Sequence, residues 1–241
     1  MKRLFPFVRM ALPEWFEPAV EKVWLKMNDD ATGHDFLHAV RVMELAVDIA
    51  SQLGADRDIA MTAGLLHDYY RKEEKQTGRL HYGLEAIDGL RREFGPLLLP
   101  HLEEVRFERV MDVIARHEEY DFSRGESGGI QLSLDHQIVQ DADRIDAIGA
   151  VGIARTFMFG GVHGLPLVED GSLPDAVFDP TLRPQGSVYR HFYEKLLHLS
   201  NGMHTIIGKR IASERHQFLV CYIKQLKHEL MLEPGDLDKY N

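Results

Sequence analysis

The chain has 241 residues, of which 44% are hydrophobic and 27% are charged. These values are ordinary for a globular protein large enough to bury a core. The formal net charge of −10 argues against a general binder of large nucleic acids, because such proteins need clustered lysine and arginine. A phosphorylated small molecule is compatible with this charge if a metal ion and a few local cations reverse the field at one site.

The single cysteine and the N-terminus indicate the compartment. Cys221 cannot form an intramolecular disulfide, and the apolar run Phe218–Ile223 predicts that its side chain is buried. The basic opening has an apolar stretch that Pro6 and Arg9 interrupt, so we expect no signal peptide. No run approaches the roughly 18 apolar residues of a membrane span. We therefore predict a cytoplasmic protein without a membrane partner.

Helical spacing of apolar residues begins after Pro13, which predicts a first amphipathic helix. Asp35 is placed to cap a second helix that Gly54 ends, and His38 falls on its buried stripe. A core histidine with a satisfied hydrogen bond is the alternative for His38. Asp56 is placed to cap a third helix.

The next stretch, Arg71 to Arg79, is highly charged and predicts a surface connector. A fourth helix with His81 near its start is predicted to end at Gly95-Pro96. Apolar residues including Leu80, Leu84, Val105 and Val110 are assigned to the buried sides of the fourth helix and of a fifth. The fifth helix ends at His117, and a flexible polar loop follows over Asp121–Gly129.

The segment from Ile138 to Ala150, interpreted as one helix, places Asp143 and Asp146 one turn apart among small and apolar neighbours. Buried carboxylates need a metal ion or a cationic partner, so a salt bridge to an arginine is the alternative. A long irregular excursion is predicted near residues 160–187. Ser187 then caps a helix that bears His191, and a final helix runs from about Thr205 to Leu230.

No segment shows the alternation of a β-strand, so we predict an all-α, single-domain helical bundle. Residues 1–30 form an N-terminal helix that packs on the core, residues 31–232 form the main domain, and residues 233–241 form a polar tail.

The vicinal pair His67-Asp68 ends the third helix and directs an imidazole and a carboxylate into the same space. In a helical bundle, inward side chains from distant segments meet, so we group this pair with His38 and Asp143. Two imidazoles and two carboxylates suit Mn²⁺, Fe²⁺, Co²⁺, Ni²⁺ or Zn²⁺ better than Ca²⁺.

The order and spacing of these residues resemble the HD superfamily of metal-dependent phosphohydrolases. The resemblance rests on Gly33–Val42, Leu65–Asp68 and Asp141–Gly149. Val151–Phe157 and His191–Leu197 look like the bacterial branch whose members cleave nucleotides or are uncharacterised.

The resemblance implies that four residues hold a divalent ion, for which Mg²⁺ is a further candidate. These are His38, His67, Asp68 and Asp143. One ion completes this site, with a second ion as the alternative. His81 and His117 resemble positions that bind a second metal or contact phosphate in some branches, and orientation of other ligands is their alternative role.

One departure concerns Arg71. Some HD enzymes follow the pair with Ile-Gly-Lys or Leu-Gly-His, whereas this chain has Tyr69-Tyr70-Arg71. A guanidinium can clamp a phosphate through two donors. Because arginine stays protonated, we expect this residue to bind phosphate and another group to donate the proton.

We expect metal-assisted hydrolysis, in which a carboxylate takes a proton from the attacking water. Asp146 is the first choice for this catalytic base and Glu74 the second. Residues expected to hold phosphate charge are Arg71, Lys72, Arg144 and Lys195. Solvation at the surface is the alternative for Lys72.

The predicted substrate is a nucleotide or a related small phosphorylated molecule, and a homodimer is left open. One alternative is a cyclic-nucleotide phosphodiesterase, which is disfavoured because no Gly-Tyr-Pro extension follows His117. A metal-bearing nucleotide sensor or binding module without turnover is another. A purely structural helical protein is disfavoured because it leaves Asp68, Asp143 and Asp146 buried without a reason.

Overall fold

A computed structural model describes residues 8–118, 132–169 and 186–230. Every regular element in these ranges is helical, which confirms the predicted all-α class. The longer helices are α1 (Glu17–Met27), α2 (Phe36–Leu53), α3 (Arg57–Leu66), α4 (Arg71–Thr77), α5 (Gly83–Leu98), α6 (Glu104–Arg116), α7 (Leu134–Asp146) and α8 (Gly149–Val162). Then follow α9 (Val188–His191), a π-helical turn (Phe192–Leu196), α10 (Leu197–Leu199) and α11 (Ile206–Glu229).

The helices belong to two compact units. The first contains residues 1–120 and 131–143, and the second contains residues 121–130 and 144–241. The described helices of the first unit are α1 to α6 with most of α7, and those of the second are α8 to α11 with the end of α7. The domain boundaries that we set at residues 30 and 232 stay a prediction. The predicted loop Asp121–Gly129 and the tail 233–241 lie outside the described residues.

The caps of α2 and α3 lie where the sequence predicts them. The Asp35 carboxylate accepts from the His38 backbone N–H, and Gly54 ends α2 in the left-handed region with φ 67°. The Asp56 carboxylate accepts from the backbone N–H groups of Asp58 and Ile59 at the start of α3. These local hydrogen bonds set where each helix begins or ends.

Close packing of α2 on α3 determines where the ends of these helices lie. Gly64 is on the contact face of α3, and a Cβ atom there would come within 2.9 Å of Met43 Cα in α2. The large apolar side chains Met43, Leu65 and Leu66 are fully buried nearby. The first unit therefore holds the last turns of α3 close against the backbone in the middle of α2.

Two predicted helix boundaries in the first unit are wrong. Arg71–Arg79 is not a connector, since α4 covers Arg71–Thr77; the salt bridge of Lys75 to Asp30 holds this helix to the chain before α2. Helix α5 continues past Pro96 to Leu98. Pro96 removes one backbone hydrogen bond there, and the burial of Leu98 favours the additional turn.

Several apolar residues are exposed where the periodicity predicted burial. Leu80, Leu84 and Val105 are 52%, 81% and 72% exposed. Cys221 is also exposed, because the buried face of α11 runs through Leu219 and Ile223. The spacing of apolar residues identifies a helix, but apolar residues at the edges of its buried face are exposed to solvent.

The predicted single helix over Ile138–Ala150 is also wrong. Helix α7 ends at Asp146, and α8 begins at Gly149, whose φ of 74° is left-handed. A Cβ at Gly149 would meet the Arg215 side chain at 3.1 Å, so glycine permits both the turn and the contact. The predicted cap Ser187 accepts from Arg190 N–H, and Thr205, the predicted start of the last helix, accepts from Gly208 N–H as its cap.

Within the described ranges, no individual helix has the length and apolar character to cross a bilayer; α7 and α8 reach those limits only when counted together across their bend.

Candidate metal centre

Four predicted ligands converge in the first unit. Helix α2 supplies His38, the end of α3 supplies His67 and Asp68, and α7 supplies Asp143. His38 Nε2 lies 3.1 Å from His67 Nε2, 3.4 Å from Asp68 Oδ2 and 3.5 Å from Asp143 Oδ1. His67 Nε2 lies 3.7 Å from Asp68 Oδ2 and 3.8 Å from Asp143 Oδ1. We call these four side chains the first cluster.

The spacing of the first cluster fits one cation. Metal–ligand bonds of about 2.0–2.2 Å place neighbouring ligand atoms about 2.8–3.6 Å apart in octahedral or tetrahedral geometry. The measured separations of 3.1–3.8 Å need only small movements to reach these values. The side chains come from three helices, so the tertiary fold assembles the ligand set.

His67 is held in the form that ligates a metal. Its Nδ1 lies 2.8 Å from Gly64 O, a distance at which Nδ1–H donates to the carbonyl and leaves an Nε2 lone pair facing the cluster. Burial lowers the pKa of His67 to about 4, against the opposing effect of Asp68 and Asp143. A neutral imidazole is the state that binds a metal ion.

Asp68 is held ionised although it is buried. Burial by itself would raise its pKa, but the surrounding histidines hold that pKa well below its usual range. The four histidines are His67, His117, His38 and His81. An ionised carboxylate among imidazoles is a donor set that suits a divalent transition-metal ion or Mg²⁺.

The second oxygen of Asp68 belongs to another group of side chains. Its Oδ1 lies 3.2 Å from His81 Nε2 and 3.9 Å from His117 Nε2. Glu118 Oε1 lies 3.5 Å from His81 Nε2 and 4.0 Å from His117 Nε2. Asp68, His81, His117 and Glu118 form what we call the second cluster, and their ligand atoms are close enough to hold a metal ion. Asp68 is therefore shared by both clusters.

Glu118 was missed in the sequence analysis. The available signal was the vicinal pair His117-Glu118 directly after α6, which repeats the arrangement of His67-Asp68 after α3. The parallel extends to the imidazoles, because His117 Nδ1 lies 2.8 Å from Ile114 O, three residues earlier, as His67 Nδ1 does from Gly64 O. Both helix ends therefore direct an Nε2 atom towards Asp68.

Glu74 and Arg71 both contact His81. Glu74 Oε2 lies 2.6 Å from His81 Nδ1, and Arg71 Nη1 lies 2.9 Å from the same nitrogen. Burial opposes protonation of His81, yet hydrogen bonds to Asp68, Glu118 and Glu74 raise its pKa to about 10. The structure therefore places Glu74, our second choice of catalytic base, against a ligand of the second cluster.

Lys72 lies at the surface. Its Nζ is 2.7 Å from both carboxylate oxygens of Asp29, and this ion pair is exposed. Solvation was the alternative that the sequence analysis left open for this residue, and it matches the position observed.

Three further predicted site residues, Arg144, Asp146 and Lys195, belong to the second unit. Asp146 is fully buried and its Oδ2 accepts from Arg155 Nη1 at 2.9 Å, which is the salt bridge given above as the alternative. Arg144 donates to Gly202 O and lies 3.1 Å from His204 Nε2.

Lys195 lies in the π-helical turn. Burial and the Lys195 charge together lower the pKa of His191 to about 3. The roles of Arg144, Asp146 and Lys195 in the reaction stay predictions.

The fold and the clusters define an all-helical protein with a histidine and aspartate metal centre. The family model for the HD domain matches residues 35–148. The uncharacterised protein YpgQ of Bacillus subtilis is 35% identical over 211 residues, which cover 87% of this chain and 91% of YpgQ.

Solved structures show the same relationship. The crystal structure of B. subtilis YpgQ in complex with ADP has a TM-score of 0.68 and 32% identity, covering 93% of this chain and 97% of that one. An HD-superfamily hydrolase from Bacillus thuringiensis has a TM-score of 0.60 and 32% identity, covering 89% and 97%. The chain belongs to the HD superfamily of metal-dependent phosphohydrolases.

Proposed function

We propose that this protein hydrolyses a phosphate ester or phosphoanhydride in a nucleotide or a related small molecule. The observation that carries the proposal is that one oxygen of Asp68 and one of Asp143 each lie 3.4–3.8 Å from the Nε2 atoms of both His38 and His67. The ionised Asp68 is buried, which is unfavourable without a cation, and a divalent ion satisfies all four side chains. The ADP complex of YpgQ supports a nucleotide as the ligand.

The first cluster fits a divalent ion in charge, donor type and spacing. When bound, such an ion lowers the pKa of a coordinated water and polarises a phosphoryl oxygen. His67 contributes a neutral imidazole whose orientation is set by Gly64 O, and Asp68 contributes an ionised carboxylate. The chain thereby prepares both ligand types before the ion arrives.

Arg71 is the residue that we assign to the substrate phosphate. Its guanidinium lies against the second cluster, 3.3 Å from Glu118 Oε1, with its side chain 27% exposed. A planar fork of donors matches two phosphate oxygens. Arg71 stays protonated, so it binds and orients the phosphate, and the proton for the leaving group comes from another donor.

The reaction is tested with a nucleotide panel and Mn²⁺. The panel contains nucleoside triphosphates, diphosphates and monophosphates together with cyclic mononucleotides and dinucleotides. We expect release of phosphate or pyrophosphate from at least one acyclic member. Asp68→Ala should abolish it, because this residue serves both clusters. Asp48→Ala is the control, since Asp48 is exposed on α2 and contacts Gln52.

The outcomes separate the alternatives. Turnover of cyclic members alone would favour a phosphodiesterase. Tight nucleotide binding in calorimetry, with all ligand recovered unchanged, would favour a sensor or binding module. If no member of the panel releases phosphate or pyrophosphate while Mn²⁺ is shown to be bound, the proposed hydrolysis is contradicted.

A further inference from the structure

The second cluster carries a dense negative charge inside the first unit. Asp68 and Glu118 contribute two of its four side chains, and Glu74 adds a third carboxylate on His81 Nδ1. Asp68, His81 and His117 are all buried. Carboxylates in such a place need cations nearby, because water is largely excluded.

Arg71 is a cation in direct contact with this cluster. Its Nη1 lies 3.1 Å from His81 Nε2 and 3.3 Å from Glu118 Oε1. It also lies 2.9 Å from His81 Nδ1 and 3.3 Å from Glu74 Oε2. One terminal nitrogen of the guanidinium therefore reaches both a nitrogen and an oxygen that a bound metal ion would use.

A divalent ion and this arginine nitrogen cannot share those atoms. An ion bound at about 2.0–2.2 Å to His81 Nε2 and Glu118 Oε1 would replace the proton on that nitrogen and occupy the space that the nitrogen and the oxygen both face. Two cations within a few ångströms also repel each other strongly when water is excluded. Occupancy of the cluster by an ion therefore requires the guanidinium to move.

The position of Arg71 permits that movement. It is the first residue of α4, and its side chain is 27% exposed. Rotation about its own side-chain bonds can carry the guanidinium to solvent while α4 stays in place, since Lys75 and Asp30 hold the helix independently. Glu74, one turn along α4, offers a partner at the cluster edge.

We propose that Arg71 is the resident counter-cation of the second cluster and that a divalent ion displaces it. The displaced guanidinium then becomes available to a substrate phosphate, so that loading of the second ion and capture of the phosphate are coupled. The exclusion of one cation by the other follows from the contacts of Arg71 alone. The capture of phosphate rests on the proposed function.

The exclusion is tested by Mn²⁺ binding to the full chain, with no substrate present. Calorimetry gives the stoichiometry and the two dissociation constants, and electron paramagnetic resonance reports whether two ions are coupled through the shared Asp68. In the wild type we expect one tight and one weaker ion. Arg71→Ala should tighten the weaker ion by about tenfold or more and leave the tight ion unchanged.

Three further variants make the result specific. Lys72→Ala removes a positive charge from the same helix away from the cluster, where its ion pair with Asp29 is exposed, and should leave both constants unchanged. Glu118→Gln should abolish the weaker ion and retain the tight one, because Glu118 belongs to the second cluster alone. Arg71→Gln keeps a polar side chain without the charge, and it should behave as Arg71→Ala does.

The inference is overturned if the weaker ion binds Arg71→Ala and Arg71→Gln no better than the wild type. It is equally overturned if no variant with an intact second cluster takes a second ion. These measurements need no turnover, so they are independent of the nucleotide panel. If no nucleotide is hydrolysed but the Mn²⁺ dissociation constants change as expected, the proposed reaction is rejected and the displacement of Arg71 by the ion stands.

Discussion

At the level of single residues, two aspartates on one helix have different surroundings. Asp143 and Asp146 are one turn apart on α7, as the sequence analysis required. Asp143 joins the first cluster, whereas Asp146 is fully buried and pairs with Arg155. A carboxylate engaged by a guanidinium is poorly placed to accept a proton, and the salt bridge is a structural reason for its burial.

We therefore expect Asp146→Ala to act mainly on stability. The change leaves the Arg155 guanidinium, which is 13% exposed, without this partner, and should lower the free energy of unfolding by about 3–5 kcal/mol. Denaturant unfolding measures it. Glu214→Ala is the control, because its ion pair with Arg210 on α11 is exposed and should matter by less than about 1 kcal/mol. Loss of turnover at unchanged stability would instead support Asp146 as the base.

At the level of helices, the metal centre depends on how closely α2 approaches α3. His38 is carried by α2, and His67 and Asp68 follow directly on α3. The absence of a side chain at Gly64 lets the two backbones come together, and the carbonyl of the same residue fixes the His67 ring. One glycine therefore serves packing and ligand orientation together.

We expect Gly64→Ala to disturb both. Its Cβ would lie 2.9 Å from Met43 Cα, so the helices must separate, at a cost of about 1–3 kcal/mol in the free energy of unfolding. Displacement of His67 from His38 should weaken the tight Mn²⁺ by about tenfold or more. Urea unfolding and calorimetry measure the two effects.

Gly161→Ala provides the comparison. Gly161 lies in α8, and nothing lies within 4 Å of the position of its Cβ, so stability should be unchanged or slightly higher. An equal loss in both variants would show that the close approach at Gly64 has no particular importance.

The cap of α3 should give the protein a defined sensitivity to acid. Burial alone would raise the pKa of Asp56, but hydrogen bonds from Arg106 and from Ile59 N–H hold it below its ordinary value of 3.8. A carboxyl group whose pKa is lower in the folded state stabilises the fold at pH values above the unfolded pKa. That contribution is lost as the pH falls through the folded pKa.

Asp56→Asn isolates this charge, because asparagine also caps helices well. We expect a loss of about 0.5–1 kcal/mol at pH 7, which shrinks as the pH is lowered through and below 3.8. Urea unfolding at a series of pH values measures the difference from the wild type. Asp48→Asn, an exposed substitution on α2, should show no such trend. A difference that grows towards low pH would contradict the expected sign.

At the level of the whole chain, stability should depend on the metal. An ion that binds the folded state alone stabilises it by about 2.7 kcal/mol at a hundredfold excess over its dissociation constant, or about 5–10 °C in Tm for a chain of this size. We expect Mn²⁺ to raise Tm and a chelator to reverse the shift in differential scanning calorimetry.

Asp68→Ala is the informative variant here, because both clusters lose a ligand. Its Tm should not respond to Mn²⁺, whereas that of Asp48→Ala should respond as the wild type does. An equal Tm increase in Asp68→Ala would place the stabilising ion elsewhere.

Local chemistry explains what could be predicted without a structure. A cap such as Asp35 or Asp56 acts on backbone N–H groups two or three residues away, so the residues involved are close neighbours in the sequence. The same holds for apolar periodicity, which identified the all-α class, the long helix α11 and the buried face that carries His38. The vicinal pair His67-Asp68 is likewise visible in the sequence.

The pairing of side chains from distant segments could not be read in this way. Glu118 meets Asp68 across 50 residues of sequence, and Asp56 meets Arg106 likewise. Asp146 finds Arg155 because α7 ends where a left-handed Gly149 starts the next helix. Such partners are selected by distances of a few ångströms between packed helices, and hydrophobic spacing along one helix carries no information about those distances.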